Sequence, residues 1–359
     1  PVAAFGPEPI LRDAMLLGDV LPDTTAVNVV VVLVASGLVW LASGWLEAAA
    51  ENLAVYYGLP PVVQGTVIVA VGSSFPEFAS VVVTALAGIF DMGVGAIVGS
   101  AVFNILVIPA LSGLASDDPL EASRTIVYKE AQFYMLAVSV LVITFALGVI
   151  YEPVAGEPGL VGSITRPLAV VPLLVYGLYL FIQWQDAGDY EAVADADGIE
   201  ILQEWGRLAA GLFVILVSVE AMVGAIESLG QTFGIPEFLA GMTIIAAATS
   251  LPDTLVSVRS ARDGNSAISL GNVLGSNTFD LLVVIPVGVL LVGAVEVNFS
   301  VAVPMLAVLT LATVLLFGSL RTRMTLTAVE SYGLLAAYLA FLGWVVAETT
   351  GVVRMLPAG

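Results

Sequence analysis

The 359-residue sequence has no cysteine, no histidine and a single lysine, Lys129. Without cysteine there are no disulfides, thiolate metal sites or thiol nucleophiles. Without histidine, zinc sites of the usual kind and imidazole base catalysis are also excluded. Charge of either sign is scarce, at 11% of residues, where a soluble domain carries about a quarter. Most of that charge is acidic, 30 Asp and Glu against 10 Lys and Arg, for a net −20. Nucleic acid is therefore excluded as a partner, because neutralising phosphates takes basic side chains. The acidic balance resembles that of salt-loving organisms: at molar salt the Debye length falls to about 3 Å, and an anionic surface repels itself little.

Apolar residues fill the space that charge leaves. They make up 59% of the chain, with a mean hydropathy of +1.04, which indicates a polytopic membrane protein. A spanning helix takes about 20 mostly apolar residues. Ten such segments fall near 27–57, 61–87, 92–114, 130–151, 167–184, 206–232, 236–261, 267–293, 299–319 and 329–350. Before Thr24 there is no basic region followed by an apolar one, so no signal peptide is expected. The bias of Arg and Lys sets orientation. With the N-terminus outside, the inner loops hold seven basic residues (Arg124, Lys129, Arg207, Arg259, Arg262, Arg321 and Arg323) and the outer segments three, Arg12, Arg166 and Arg354. A cell-membrane protein with both termini extracellular is the expectation, with the lipid bilayer as partner and no obligate protein partner.

Two stretches interrupt the apolar runs, "AVGSSFPEFASV" from Ala70 and "AAATSLPDTLVSV" from Ala246. A constant offset of 176 residues relates them. It also takes Gly58 to Gly234, Pro60 to Pro236, Gly65 to Gly241 and Gly95 to Gly271, then Gly99, Ser100 and Phe103 to Gly275, Ser276 and Phe279. Chance does not hold one register that long. The chain therefore reads as an all-α membrane protein of ten transmembrane helices in two five-helix repeats, 27–184 and 206–359. An N-terminal extracellular segment, 1–26, precedes them and an acidic linker, 185–205, joins them. Because five is odd, the second copy enters the membrane from the opposite face, the inverted arrangement of secondary transporters, whose ion sites lie at broken helices near the midplane.

Pro76 and Pro252 each remove a helical hydrogen bond and clash with the preceding turn. Beside Gly72, Ser73 and Ser74 this predicts an unwound segment with inward-facing carbonyls, which at that depth must line a cavity or meet a cation. A packing kink would explain one Ser-Pro site, but not two matched copies each followed by a carboxylate. Those carboxylates, Glu77 and Asp253, sit mid-span, where an ionised acid costs at least about 2.5–3.5 kcal/mol and is functional by default. No Arg or Lys lies mid-span to neutralise them. In the next span of each half, "GSAVFN" and "GSNTFD" place Asn104 and Asp280 one turn after Ser100 and Ser276, on the same helix face. Hydroxyls, carbonyls and carboxylates are the ligands that hard cations take. Glu47, Glu51, Glu220 and Glu227 flank spans and read as interfacial or capping residues. The linker's "DADGIEILQE" has Asp195, Asp197, Gly198 and Glu204 at intervals similar to a calcium-binding loop, but Val193 stands at the first ligand position.

The segments "GSSFPEF", "GVGAIVGSAVFNIL", "ATSLPDTLVSVRSARDG" and "GSNTFDLL" resemble the two alpha repeats of the sodium/calcium exchanger, or cation/calcium antiporter, superfamily. The first repeat is similar to that of potassium-dependent exchangers and their prokaryotic relatives. The "GNxxE" type of motif common in proton/calcium exchangers is absent. The resemblance implies four clustered cation sites bridged by Glu77 and Asp253. Ser74, Ser250, Ser100 and Ser276 would contribute hydroxyls, and Ala70, Ser73, Ala246 and Thr249 carbonyls, with Asn104 and Asp280 lining the middle. It further implies that spans one and six slide against the rest to alternate access. Asp253 stands where archaeal relatives often have Glu, Ala248 replaces a glycine at the bend, and the linker leaves no room for the regulatory domains of animal exchangers.

With Glu77, Asp253 and Asp280 ionised the pocket holds −3. Three sodium ions neutralise it; one calcium leaves −1, which needs a proton on Asp280 or a potassium ion, since an uncompensated buried charge costs several kcal/mol. The expected function is sodium/calcium antiport exporting calcium, with no cofactor and no enzymatic activity, and with potassium co-transport left open. Proton/calcium antiport is the alternative, and a cation channel built from the same oxygens a further one. A retinal protein would need a lysine deep in a helix, whereas Lys129 falls in a loop. An intramembrane aspartyl protease would leave the Ser-Pro breaks and matched hydroxyls unexplained.

Overall fold

The computed structural model describes residues 22, 24–58, 70–116, 118–124, 126–154, 160–186, 199–350 and 352–353. Most of the segment 1–26, the start of the second span with Pro60 and Gly65, most of the linker with Asp195, Asp197 and Gly198, and both Arg12 and Arg354 lie outside the described residues.

Long apolar runs become helices here because in hydrocarbon only a helix satisfies every backbone group within its own segment. The first half comprises α1 (Thr25–Tyr56), the short α2 (Ala70–Ser73), α3 (Phe75–Ala87), α4 (Phe90–Ala115), α5 (Ala131–Tyr151) and α6 (Arg166–Asp186). The second comprises α7 (Ile201–Phe233), α8 (Glu237–Ala240), α9 (Ala246–Thr249), α10 (Leu251–Arg262), α11 (Ser266–Phe279), α12 (Ile285–Val292), α13 (Phe299–Arg321) and α14 (Ala328–Thr349). π-Helical turns at Gly241–Ile245 and Asp280–Val284 join α8 to α9 and α11 to α12. Among the described residues, eight helical stretches are long and apolar enough to cross a membrane. A ninth is the pair Glu237–Thr249 and Leu251–Arg262, bent by 43°.

Two spans form the centre. The apolar stretch of Phe90–Ala115 is 89% buried and that of Ser266–Val292 83% buried, against 17% for Thr25–Tyr56 and 22% for Ala328–Glu348, whose outer faces are left for lipid. α4 can press against the bent span because it carries glycine at the crossing. A Cβ at Gly95 or Gly99 would strike the carbonyls of Phe238 and Met242, and one at Gly241 the carbonyl of Met92. Small residues at such crossings are what let membrane helices approach backbone to backbone.

α1 and α7, which the 176-residue offset makes equivalent, lie side by side and antiparallel. Asn28, near the start of α1, donates to Ser228 near the end of α7 at 3.0 Å. At the other end Gly211, early in α7, packs on the Ala42 carbonyl and Leu46 of α1. Two small antiparallel strand pairs tie the loops. β1 (Leu120–Glu121), after α4, pairs with β4 (Thr325–Leu326), after α13; β2 (Val161–Thr165), after α5, pairs with β3 (Ala294–Asn298), after α12. Asp91, Glu237 and Glu296 are near enough for their charges to interact, which gathers the starts of α4 and α8 and strand β3 at one end of the bundle.

Candidate functional site

Each half breaks its helix at one serine. Ser74 has φ −85° and ψ 6°, and Ser250 φ −78° and ψ 0°, nearly the same departure from helical geometry. The break is shorter than the prolines alone predict. The helix resumes at once, with the Phe78 amide donating to the Ser74 carbonyl at 3.0 Å and the Thr254 amide to the Ser250 carbonyl at 3.1 Å. Pro76 and Pro252 fall in the first turn of the new helices, where a missing N–H costs nothing. The groups they orphan lie on the other side of the break: the carbonyls four residues back, at Gly72 and Ala248, lose their usual donor. Of the carbonyls expected at the site, that of Ala246 already accepts from the Ser250 amide at 3.1 Å and from the Thr249 hydroxyl at 3.4 Å. Ala70 opens α2.

Glu77 and Asp253 occupy the first turns of α3 and α10. Both are fully buried, as are Ser73, Ser74, Ser100, Asn104, Thr249, Ser250, Ser276 and Asp280. Residues far apart in sequence meet here. The Ser100 and Ser250 hydroxyls share a hydrogen bond of 2.8 Å and stand 3.3 Å and 3.5 Å from Glu77 Oε1, to which the one not donating within the pair donates. Ser276 donates to Asp253 Oδ1 at 3.1 Å and pairs with Ser73 at 3.2 Å. Asn104 donates to Asp253 Oδ2 at 3.1 Å, so α4 reaches both carboxylates. Asp280 begins the π-turn between α11 and α12, is approached by the Ser74 hydroxyl, and lies within Coulombic reach of Glu77 and Asp253.

Four residues at the site escaped the sequence reading. Asn272 donates to Asp253 Oδ1 at 3.4 Å and to the Ser257 hydroxyl at 3.2 Å. Asn277 accepts from Asn104 at 3.0 Å and donates to the Ala101 carbonyl at 3.2 Å and to Tyr134 Oη at 3.5 Å. The signal for the two asparagines was their depth in an apolar helix. It was masked because, at the repeat offset, their counterparts are Ala96 and Ala101. Ser257 and Tyr134 gave no signal in the sequence.

The oxygens that remain define what the site can hold. Glu77 Oε2, both carboxylate oxygens of Asp280, Asn104 Oδ1 and Ser74 Oγ are buried without a hydrogen-bond partner. Burying such groups unpartnered costs about 1–3 kcal/mol each and more for a charge. Among the described residues no Lys or Arg forms an ion pair with any of the three acids. Nor do three acidic side chains converge into a cage of their own among those residues. The site is a mixed set of carboxylate, amide and hydroxyl oxygens, the ligand chemistry of sodium and calcium.

The sodium/calcium exchanger protein family matches residues 27–185 and 204–347. The chain belongs to that family. That family is one of cation/calcium antiporters, transporters by descent. The inner membrane protein YrbG of Escherichia coli (strain K12) is 28% identical over 261 residues, covering 69% of this chain and 75% of that one. The putative antiporter CaxA of Alkalimonas amylolytica is 29% identical over 266 residues, covering 71% and 77%. Among solved structures, the sodium-calcium exchanger NCX_Mj, soaked with sodium and strontium, superposes with a TM-score of 0.61 at 21% identity, over 89% of this exchanger chain and 99% of that chain. The helical architecture is thus that of NCX_Mj.

The sequence reading of Glu204 and Glu47 changes. Glu204, placed in a calcium-loop pattern, is buried in the first turn of α7 and paired with Arg207 at 2.9 Å. Glu47, read as interfacial, packs instead against Gly72 beside the Ser74 break. Gly72 has no side chain to keep it away.

Proposed function

We propose that the chain exchanges sodium for calcium across the cell membrane, exporting calcium by alternating access to a site formed by Glu77, Asp253, Asp280, Asn104, Ser74, Ser250, Ser100 and Ser276, with backbone carbonyls of Ala70, Ser73, Ala246 and Thr249. The observation that carries this reading is the set of five buried acceptor oxygens without a donor, in a pocket with a formal charge of −3. Sodium and calcium compete for the same carboxylates, and a pocket that crosses only when neutralised couples one gradient to the other. Three sodium ions neutralise the pocket fully. One calcium leaves a single charge for Asp280 to hold as a proton, or for potassium to balance.

Ten crossings in two inverted halves, 27–184 and 206–359, fit several features of the fold. Equivalent helices α1 and α7 run antiparallel. The paired strands join the loops after the third and ninth spans and those after the fourth and eighth, which share a face only if an even number of crossings separates them. α1 and α7, largely outside the central pair, are the elements proposed to slide. The excess of basic residues puts both termini outside.

The test is calcium uptake into proteoliposomes under an imposed sodium gradient. Uptake that follows sodium and ignores pH supports the reading. Uptake that follows a pH gradient and ignores sodium replaces it with proton/calcium antiport, and calcium flux with no counter-ion replaces it with a channel. Exchanging potassium for choline in the same assay decides potassium dependence.

A further inference from the structure

Glu47 is a carboxylate that the cation site does not use. It lies on α1, two turns before the helix ends, where a Cβ on Gly72 would stand 3.7 Å from its Cγ. Its Oε1 is sealed from solvent and has no hydrogen-bond partner. The charged groups that face it come from two helices: Asp253 and Arg259 of α10, and Glu51 one turn along α1. Asp253 is at the start of α10 and fully buried, whereas Arg259 and Arg262 are in its last turn and Glu51 is exposed. Glu47 therefore stands between the membrane face at which α10 ends and the inner carboxylate Asp253.

The packing at this position does not call for an acid. The repeat offset takes Glu47 to Val223, which is fully buried against the same α1–α7 seam, whereas Glu51 maps to another glutamate, Glu227. At this position an acid stands in one half only, with an oxygen left open, at a cost that apolar packing would avoid.

We infer that Glu47 is a staging ligand for calcium and sodium, holding the cation between the face where α10 ends and the carboxylate of Asp253. The inference rests on the antiport reading above. In the orientation set by the basic residues, that face is the cytoplasmic one, from which exported calcium is loaded. The Glu47 carboxylate raises the local cation concentration beside a break whose other side-chain oxygens, those of Ser73 and Ser74, are uncharged. The equivalent position in the other half is Val223, so the two faces load the same site with unequal ease.

The experiment measures exchange in proteoliposomes with calcium presented to either face. Glu47→Gln is expected to raise the KM for calcium on the face where α10 ends by about tenfold, the low end of what steering charges do to association rates. The KM for sodium should rise on the same face, because a residue on the pathway leaves the overall driving force unchanged. The KM values on the opposite face and the maximal rate should stay within about twofold, well under the tenfold low end of steering effects. Glu47→Asp, which keeps the charge, should restore most of the one-sided loss and remains informative if the glutamine variant does not fold. Glu51→Gln controls for exposed charge and should leave both faces alike. Equal changes on both faces, a fall in maximal rate with KM unmoved, or no change at either face would overturn the inference while leaving antiport intact. Absence of sodium-driven calcium flux in the unaltered protein would instead remove the antiport reading itself.

Discussion

The two halves carry the same break and then diverge. Ser74 and Ser250 adopt nearly the same backbone, and each is followed by proline and an acid. In the first half, however, the side-chain contacts of Glu77 are with hydroxyls, those of Ser100 and Ser250, on one oxygen, and its second oxygen has no side-chain partner. Asp253 in the second half is held on both oxygens, by the amides of Asn104 and Asn272 and the hydroxyl of Ser276. A hydroxyl can rotate and turn a lone pair to a cation, whereas an amide nitrogen cannot. One turn past Ser100 the chain places Asn104 in regular helix; one turn past Ser276 it places Asp280 at a π-turn, the kind of distortion that recurs at functional sites. The two motifs at the 176-residue offset form two similar cradles. Side-chain differences have made one carboxylate a fixed post and left the other with an open oxygen.

Four experiments break or sharpen that comparison. The largest effect is expected from Glu77→Gln. Removing the open carboxylate should lower calcium transport by at least about 100-fold, which corresponds to about 2.8 kcal/mol of lost binding, in a vesicle uptake assay. A change under tenfold would show that the fixed carboxylate, not the open one, carries the ion. Next is Asp280→Asn, which makes the two halves alike at this position. The pocket then holds −2, so the number of sodium ions exchanged per calcium should fall, read as a shift of the reversal potential. An unchanged stoichiometry would mean that Asp280 is already neutral during the cycle.

A smaller effect is expected at Asn277, whose carbonyl oxygen accepts from the Asn104 amide and so keeps Asn104 Oδ1 turned away from Asn277 and open. Asn277→Ala should weaken calcium binding by about tenfold, the equivalent of one buried hydrogen bond to a polar partner, with the sodium profile altered as well. Equilibrium calcium binding in detergent reads it, and an effect on melting temperature alone would make the residue structural. The smallest effects are expected from Ser100→Ala and Ser276→Ala, each worth about 0.5–1.5 kcal/mol. The matched pair compares the halves directly: a clearly larger loss of calcium affinity at Ser100 would support the open first cradle, and equal losses would weaken it.

Much of this site could be read along the chain. The breaks follow from Ser-Pro chemistry, and Glu77, Asp253 and Asp280 stand out because a charge deep in an apolar run is costly. The family resemblance carried by those motifs holds. Asn272 and Asn277 were hidden because the repeat, which exposed the other residues, pairs them with alanines. Ser257 and Tyr134 are ordinary residues whose role exists only through what packs on them. The length of the break was also misjudged, since proline in the first turn of a new helix disturbs much less than proline in the interior of an old one.

By itself the sequence determined the helical membrane class, the 176-residue offset between its two motifs, the positions of the breaks and the acids that must be satisfied. These follow from constraints local to the chain: hydropathy, missing amide protons and the cost of buried charge. Only the tertiary structure decided which groups satisfy which. Ser100 turned out to serve Glu77 together with Ser250, 150 residues away, and Ser73 to meet Ser276 across 203 residues. The fold alone also set Glu47 against Gly72 and left its oxygen open. Such pairings depend on which helices cross and how closely, which the packing of α4 against the bent span fixes and no local pattern encodes.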